Sequence, residues 1–249
     1  MEKSGRTAGA GTAKRPGETA NLQLDGLARG SRLILLIMAA QTRAVQIRAA
    51  QMMAAQKEIE IKFRVADVRG LARRLKRAGF RRVTGRTHEM NTLYDLPGQA
   101  LRKRGELLRL RKYGKQWVLT HKAKGKSGRH KMRMEAETVV EDGGQMEAIL
   151  GALGFVPTFR YEKFRAEWSD GHGHVVVDET PIGNFGEIEG RPRWIDQTAK
   201  RLEIQRSDYI TLTYAGLFFA WKRQTRSAAK EMTFRAVGAR RQKQTAPSC

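Results

Sequence analysis

The chain is nearly devoid of cysteine: one residue in 249, Cys249, at the end of the sequence. That excludes an intrachain disulfide framework and a thiolate metal cage, and it fits a cytoplasmic protein in a reducing compartment. Histidine is also scarce. Of the five, only His172-Gly173-His174 are spaced as paired ligands, and their Gly-rich surroundings read as a solvated turn. Long apolar runs are missing. The one strong run, Leu33 to Ala40, has eight residues, whereas a bilayer span needs roughly 20. It also begins too far from Met1 for a typical signal peptide, so no membrane attachment is expected. There is no helix-turn-helix, zinc or aromatic RNA-binding motif, so no specific nucleic-acid partner is expected.

Charge is abundant. There are 48 basic and 25 acidic residues, a net of +23. Residues 1–55 carry a net of +5 and residues 222–249 a net of +7; the stretch between them holds 21 of the 25 acids. A basic excess favours phosphate-bearing partners and speeds their encounter. It also lends non-specific affinity for nucleic acid. The uneven distribution suggests three parts. Residues 1–55 read as an N-terminal extension, disordered to residue 30 and partly helical after it. Initiation at Met52 or Met53 would leave that extension without a role. Residues 56–221 form the folded domain, and 222–249 a basic disordered tail.

Within the domain, polar and apolar residues alternate, and alternate residues of a strand face opposite ways. Glu58, Glu60 and Lys62 share one face, backed by Ile59, Ile61 and Phe63. The pattern recurs with Arg109 and Arg111, with Lys131, Arg133, Glu135 and Glu137, with Lys163 and Arg165, and with Glu187 and Glu189. Strands are predicted over 57–63, 87–95, 106–113, 116–123, 130–141, 160–169, 174–180 and 184–190. Helices are predicted over 67–78, 145–153, 196–205 and 209–221. Two segments echo one another, Leu75-Lys76-Arg77-Ala78-Gly79-Phe80 and Leu150-Gly151-Ala152-Leu153-Gly154-Phe155. An internal duplication is plausible on that basis.

The fold class that follows is α+β: eight antiparallel strands closed into a barrel. Apolar rows would face outward against helices, and charged rows would line the lumen. A lumen holding both signs suits a polyanion bound together with a divalent metal.

The order of the charged motifs resembles the CYTH superfamily, the triphosphate tunnel metalloenzymes. Glu58-x-Glu60-x-Lys62 opens it. Leu108-Arg109-Leu110-Arg111, Leu119-Thr120-His121-Lys122, Arg133-x-Glu135-x-Glu137, Tyr161-Glu162-Lys163-x-Arg165 and the run from Val177 to Glu189 follow. Tyr161-Glu162-Lys163 and Asp208-Tyr209-Ile210-Thr211 look most like the bacterial subgroup labelled class IV adenylate cyclase-like. The resemblance covers residues 56–215. It implies that Glu58, Glu60, Glu135, Glu137, Glu187 and Glu189 supply the ligands of Mg²⁺ or Mn²⁺. It implies that Lys62, Arg109, Arg111, Lys122, Arg133, Lys163 and Arg165 grip a triphosphate such as ATP, thiamine triphosphate or tripolyphosphate. The expected activity is metal-dependent hydrolysis of a triphosphate. Cyclisation of ATP to cyclic AMP and pyrophosphate, or binding of a polyphosphate or nucleotide without turnover, are the alternatives. The sequence leaves Asp178 facing either way, assigns no general base and gives no oligomeric state.

Overall fold

The computed structural model describes residues 56–126 and 128–238. The expected N-terminal extension lies outside them. Eight strands form the frame: β1 Gln56–Arg64, β2 Arg81–Asp95, β3 Leu107–Tyr113, β4 Gln116–Lys122, β5 Lys131–Val140, β6 Val156–Ser169, β7 His174–Thr180 and β8 Gly183–Glu189. They close into one antiparallel barrel in the order β1-β5-β4-β3-β2-β6-β7-β8. The helices are α1 Val68–Arg77, α2 Ala100–Lys103, α3 Gly143–Ala152, α4 Pro192–Arg201, α5 Tyr214–Thr225 and α6 Phe234–Gly238, with a 3-10 turn at Arg206–Asp208. Among the described residues, no helix is long and apolar enough to cross a membrane.

The two echoed segments adopt the same local structure. Gly79 and Gly154 both sit at φ +83°, a left-handed conformation open to glycine, and end α1 and α3. Phe80 N–H then donates to Leu75 O at 3.0 Å, and Phe155 N–H to Leu150 O at 2.9 Å. Each cap launches a long strand, β2 or β6, and these two strands pair with each other.

The apolar rows face outward, and helices cover them. α1 and α4 share a core with Ile61, Phe63, Trp168, Val175, Val177 and Ile188. α3 covers Tyr94 and Leu110 through Leu150. α5 lies across one end of the barrel. There the inward rows of β2, β6 and β8 turn apolar at Leu93, Phe159, Tyr161 and Phe185, and pack on Tyr214, Leu217 and Phe218.

β2 and β6 start at Arg81 and Val156 rather than at 87 and 160, and α4 spans Pro192–Arg201 rather than 196–205; two further stretches change in kind. The helix predicted over 209–221 begins only at Tyr214, capped by the Thr213 hydroxyl. Tyr209 to Thr211 stays extended because β5 starts at Lys131 and leaves the second half of β1, after Glu60, without a neighbour on that side; Ile210 N–H donates to Lys62 O at 2.7 Å and seals that seam. The tail after Lys222, expected to be disordered, is packed through Gly238. Met232 is fully buried and joins the open edge of β6: its N–H donates to Arg160 O, and its carbonyl accepts from Glu162 N–H. The polar composition of 222–231 hides this one apolar anchor. Residues 239–249 lie outside the described part.

Candidate functional site: a charged tunnel

The strand register brings opposite charges face to face across the lumen wall. Glu58 lies opposite Arg133, Lys62 opposite Glu187, Lys122 opposite Glu135, Glu89 opposite Lys163, and Arg165 opposite Asp178. Cross-strand neighbours of opposite charge attract, so this register suits the lumen face as well as the core face.

The thirteen residues named from the sequence all line one cavity of about 290 Å³ inside the barrel. Towards the open end it meets a larger chamber of about 810 Å³, whose wall it shares at Glu58, Arg111, Glu135, Glu137 and Glu189. Gln56, Gln116, Thr138 and the Ser169–His174 turn rim that outer chamber. The lumen is therefore a wide vestibule, a narrower inner chamber, and an apolar end under α5.

The carboxylates divide into two groups. Glu58, Glu60 and Glu189 each bring an oxygen within 4.8 Å of the others, at the junction of the two chambers. Burial drives the Glu189 carboxyl up to about 8, helped by Glu187 and Glu60. Burial also lifts Glu135 to about 7, and the hydrogen bond that its carboxyl donates to Glu58 adds to it. Burial works against ionised Glu58 too, but the Glu135 hydrogen bond, Lys122 and Lys131 outweigh it and bring Glu58 to about 2. Glu58 and Glu135 thus share a proton, with Lys122 bonded to both. Lys122 pairs with Glu58 and Lys131 with Glu60, while Glu189 has no ion pair among the described residues; three oxygens at this spacing make a donor set suited to a hard divalent ion.

The second group faces cations. Glu187 takes a bond from Lys62 and one from Arg165 Nη2 at 2.6 Å. Its burial is overcome by Lys62 and Arg165, which hold it well below the usual carboxylate range. Glu137 accepts from Arg111 Nη2 at 3.1 Å and from the Thr120 hydroxyl at 2.8 Å. Arg109 Nη2 donates to Thr120 at 3.2 Å. Arg133 lines the cavity, but its guanidinium donates to the carbonyls of Ala123 and Gly105 at 2.7 and 2.8 Å.

The sequence reading missed several lumen residues. Asp178, left undecided, points inward and is fully buried, with Lys163 Nζ and Arg165 Nε each at 2.8 Å. Tyr214 donates its hydroxyl to Asp178 at 2.5 Å, while Lys62 and Lys163 sit 4.4 and 4.5 Å from its ring centre. Lys131, on the charged row of β5 but given no role from the sequence, pairs with Glu60 at 2.5 Å. Glu89, also fully buried, lies 3.5 Å from Lys163, 3.7 Å from Arg165 and 3.9 Å from Arg111.

A sequence model of the CYTH domain matches residues 56–211. The chain belongs to the CYTH family. Among CYTH-like relatives, MJ0240 of Methanocaldococcus jannaschii, a candidate adenylate cyclase by name, is 27% identical over 171 residues, covering 64% of this chain and 97% of the relative. PH1012 of Pyrococcus horikoshii shares the fold at a TM-score of 0.57 and 24% identity, over 64% of this chain and 98% of its own. HpAC1 of Hippeastrum, a candidate adenylyl cyclase described as having a dominant triphosphatase activity, gives a TM-score of 0.50 at 21% identity, over 66% and 95%. CYTH proteins are generally metal-dependent, and the Glu58, Glu60 and Glu189 cluster is an acidic site of the kind that dependence requires.

Proposed function

We propose that this tunnel hydrolyses the terminal phosphate of an organic or inorganic triphosphate with the help of a divalent cation, Mg²⁺ or Mn²⁺. The observation that carries the reading is the convergence of all thirteen predicted charged residues on one inner chamber beside a three-carboxylate cluster. The inner chamber takes the phosphate chain. The wider vestibule leaves room for whatever the chain is attached to.

Lys62, Arg109, Arg111, Lys122, Lys163 and Arg165 hold the phosphoryl oxygens. Arginine offers planar paired donors and lysine a compact charge. Their own carboxylate partners fix these heads before a ligand arrives, so little reorganisation is needed as charge moves in the transition state. Arg133, tied to two loop carbonyls, shapes the wall. Glu58, Glu60 and Glu189 would hold the cation, with Glu135, Glu137 and Glu187 setting the charge around it. When bound, the ion neutralises phosphoryl oxygens and orients the reacting group. The side chains of Phe159, Phe185 and Tyr214 keep water from the apolar end, so attacking water enters from the vestibule.

The name of the M. jannaschii relative supports a second reading, cyclisation of ATP to cyclic AMP and pyrophosphate. The activity described for HpAC1 favours the first. Product-resolved turnover of ATP, thiamine triphosphate and tripolyphosphate, each with Mg²⁺ and Mn²⁺, tests both. Orthophosphate released from tripolyphosphate is the expected result. Cyclic AMP and pyrophosphate from ATP, with tripolyphosphate untouched, overturns the hydrolytic reading. Arg109→Ala is expected to raise KM for the triphosphate more than it lowers kcat.

A further inference from the structure

The tunnel does not account for the basic excess of the chain. Eight basic side chains line the inner chamber, and seven carboxylates face them there. Buried Glu89 and Asp178 stand behind the same cations. The lumen is therefore close to balanced, and the net charge of +23 must be carried elsewhere.

Part of it is on one outer face. α1 buries Gly70, Leu71 and Leu75 and exposes Arg69, Arg73, Lys76 and Arg77, with no acidic residue in the helix. α4 buries Ile195, Thr198 and Ala199 and exposes Arg193, Lys200 and Arg201. The α1 stripe follows the i, i+4, i+7, i+8 spacing of one helical face, and the α4 cations stand at i, i+7 and i+8 with Gln197 at i+4. The helices are neighbours over a common core. Arg201 donates to Ala78 O at the end of α1 and lies 5.6 Å from the Phe80 ring centre, and Phe80 meets Trp194 of α4 at 6.0 Å. Nearby acids meet only part of this charge: Asp67 reaches Arg73 at 3.5 Å, Asp170 reaches Arg201 at 3.9 Å, and Asp196, within α4, pairs with Arg129 and His130 instead. The side chains of Arg69, Lys76, Arg77, Arg193 and Lys200 have no hydrogen bond or ion pair among the described residues.

We infer that the α1–α4 face docks the phosphate backbone of double-stranded nucleic acid, without reading its sequence. Three features select this partner. A duplex is a rigid line of about one negative charge per 1.7 Å, and two rows of exposed cations on a firm core complement it. A lipid surface would call for apolar side chains among the cations, but the apolar sides of both helices are already buried in the barrel core. Single strands are held by stacking on exposed aromatic rings; neither stripe carries one, and Trp194 is packed on Phe80. The face lies on the outer wall; the start of α4 adjoins Arg191 at the vestibule, but the α1 stripe lines neither chamber, so docking through α1 and turnover are separable.

The test uses the full chain and a labelled duplex of about 20 base pairs with 5′-hydroxyl ends, which offers the tunnel no triphosphate, titrated by fluorescence anisotropy across a salt series. Wild type should bind with a steep salt dependence. Arg69→Glu, Arg73→Glu and Arg77→Glu together should weaken binding at least about tenfold and flatten the log–log salt slope by about 0.9 for each phosphate no longer neutralised. Thermal unfolding should be nearly unchanged, since all three side chains are exposed. A matched reversal across the barrel, Lys103→Glu with Lys112→Glu and Lys115→Glu, should weaken binding far less. No duplex binding by wild type, retained binding in the α1 variant, an equal loss in the matched variant, or preferential binding to phosphatidylserine vesicles would each overturn the proposal. None of these outcomes depends on which triphosphate the tunnel turns over.

Discussion

Asp178→Asn perturbs the centre of the tunnel most directly. This fully buried carboxylate accepts from Lys163 Nζ at 2.8 Å, from Arg165 Nε and Nη2 at 2.8 and 2.7 Å, and from the Tyr214 hydroxyl at 2.5 Å. Asparagine keeps the shape but removes the charge, and it turns one acceptor into a donor aimed at other donors. Lys163 and Arg165 keep Glu89, at 3.5 and 3.7 Å, and Arg165 keeps Glu187. Removing one member of a buried ion-pair network costs about 3–5 kcal/mol. For a domain of this size that lowers Tm by about 6–20 °C. The assay is thermal unfolding with and without tripolyphosphate. A bound polyanion replaces the missing negative charge, so the ligand should raise Tm more in the variant than in wild type. A loss below about 1 kcal/mol, the size of an exposed pair, or a smaller ligand-induced rise than in wild type, would refute the reasoning.

Glu58→Gln is expected to abolish metal-dependent turnover while leaving thermal unfolding within a few degrees of wild type, and wild-type turnover that survives EDTA would contradict the metal assignment. In metal-free buffer, stability should fall as pH rises from about 4.5 to about 8. The folded state keeps protons on Glu135 and Glu189 up to about 7 and about 8, the unfolded chain has lost them above its ordinary 4.5, and so their contribution disappears through that window; Glu189→Gln should flatten the Tm profile. Met232→Ala should cost about 2–5 kcal/mol, measured by denaturant unfolding, and a chain ending at Thr225 should be less stable still. Glu89→Gln should raise the affinity of the tunnel for orthophosphate and slow product release, seen as a lower inhibition constant together with a lower kcat.

The barrel and most of its lumen were legible because period-two alternation survives in β1, β3, β5 and β8, where charged and apolar rows are distinct. Where alternation fails, so does the reading. β7 places Val175, Val176 and Val177 in succession and is buried on both faces, so the direction of Asp178 cannot be taken from pattern. The lumen row of β2 mixes Glu89 with Asn91 and Leu93, and Met90 beside them is half exposed; one acid in a mixed row gives no rhythm. Tyr214 reaches the lumen from a helix crossing the barrel end, and no strand period can report that. Tyr209 to Thr211 carries no helix breaker. It stays extended because the bare edge of β1 offers Ile210 a backbone partner, a tertiary effect invisible in the local sequence.

The seams of the barrel also bear on how the chain is made. β1 and β8, the first and last strands among the described residues, pair with each other, with Lys62 opposite Glu187. Ile210 and Met232 then fill the two remaining gaps in the wall. On a ribosome, which releases the chain from its N-terminus, the earliest strand must wait for the latest. Until then the nascent chain exposes unpaired strand edges and bare carboxylates and cations that only later neutralise one another. Pairings this far apart in sequence fold slowly, and open edges invite association with other chains. A tunnel able to grip a triphosphate therefore exists only once β8 and the segment through Met232 have left the ribosome, so ligand present during synthesis can trap the closed barrel but cannot template its early strands.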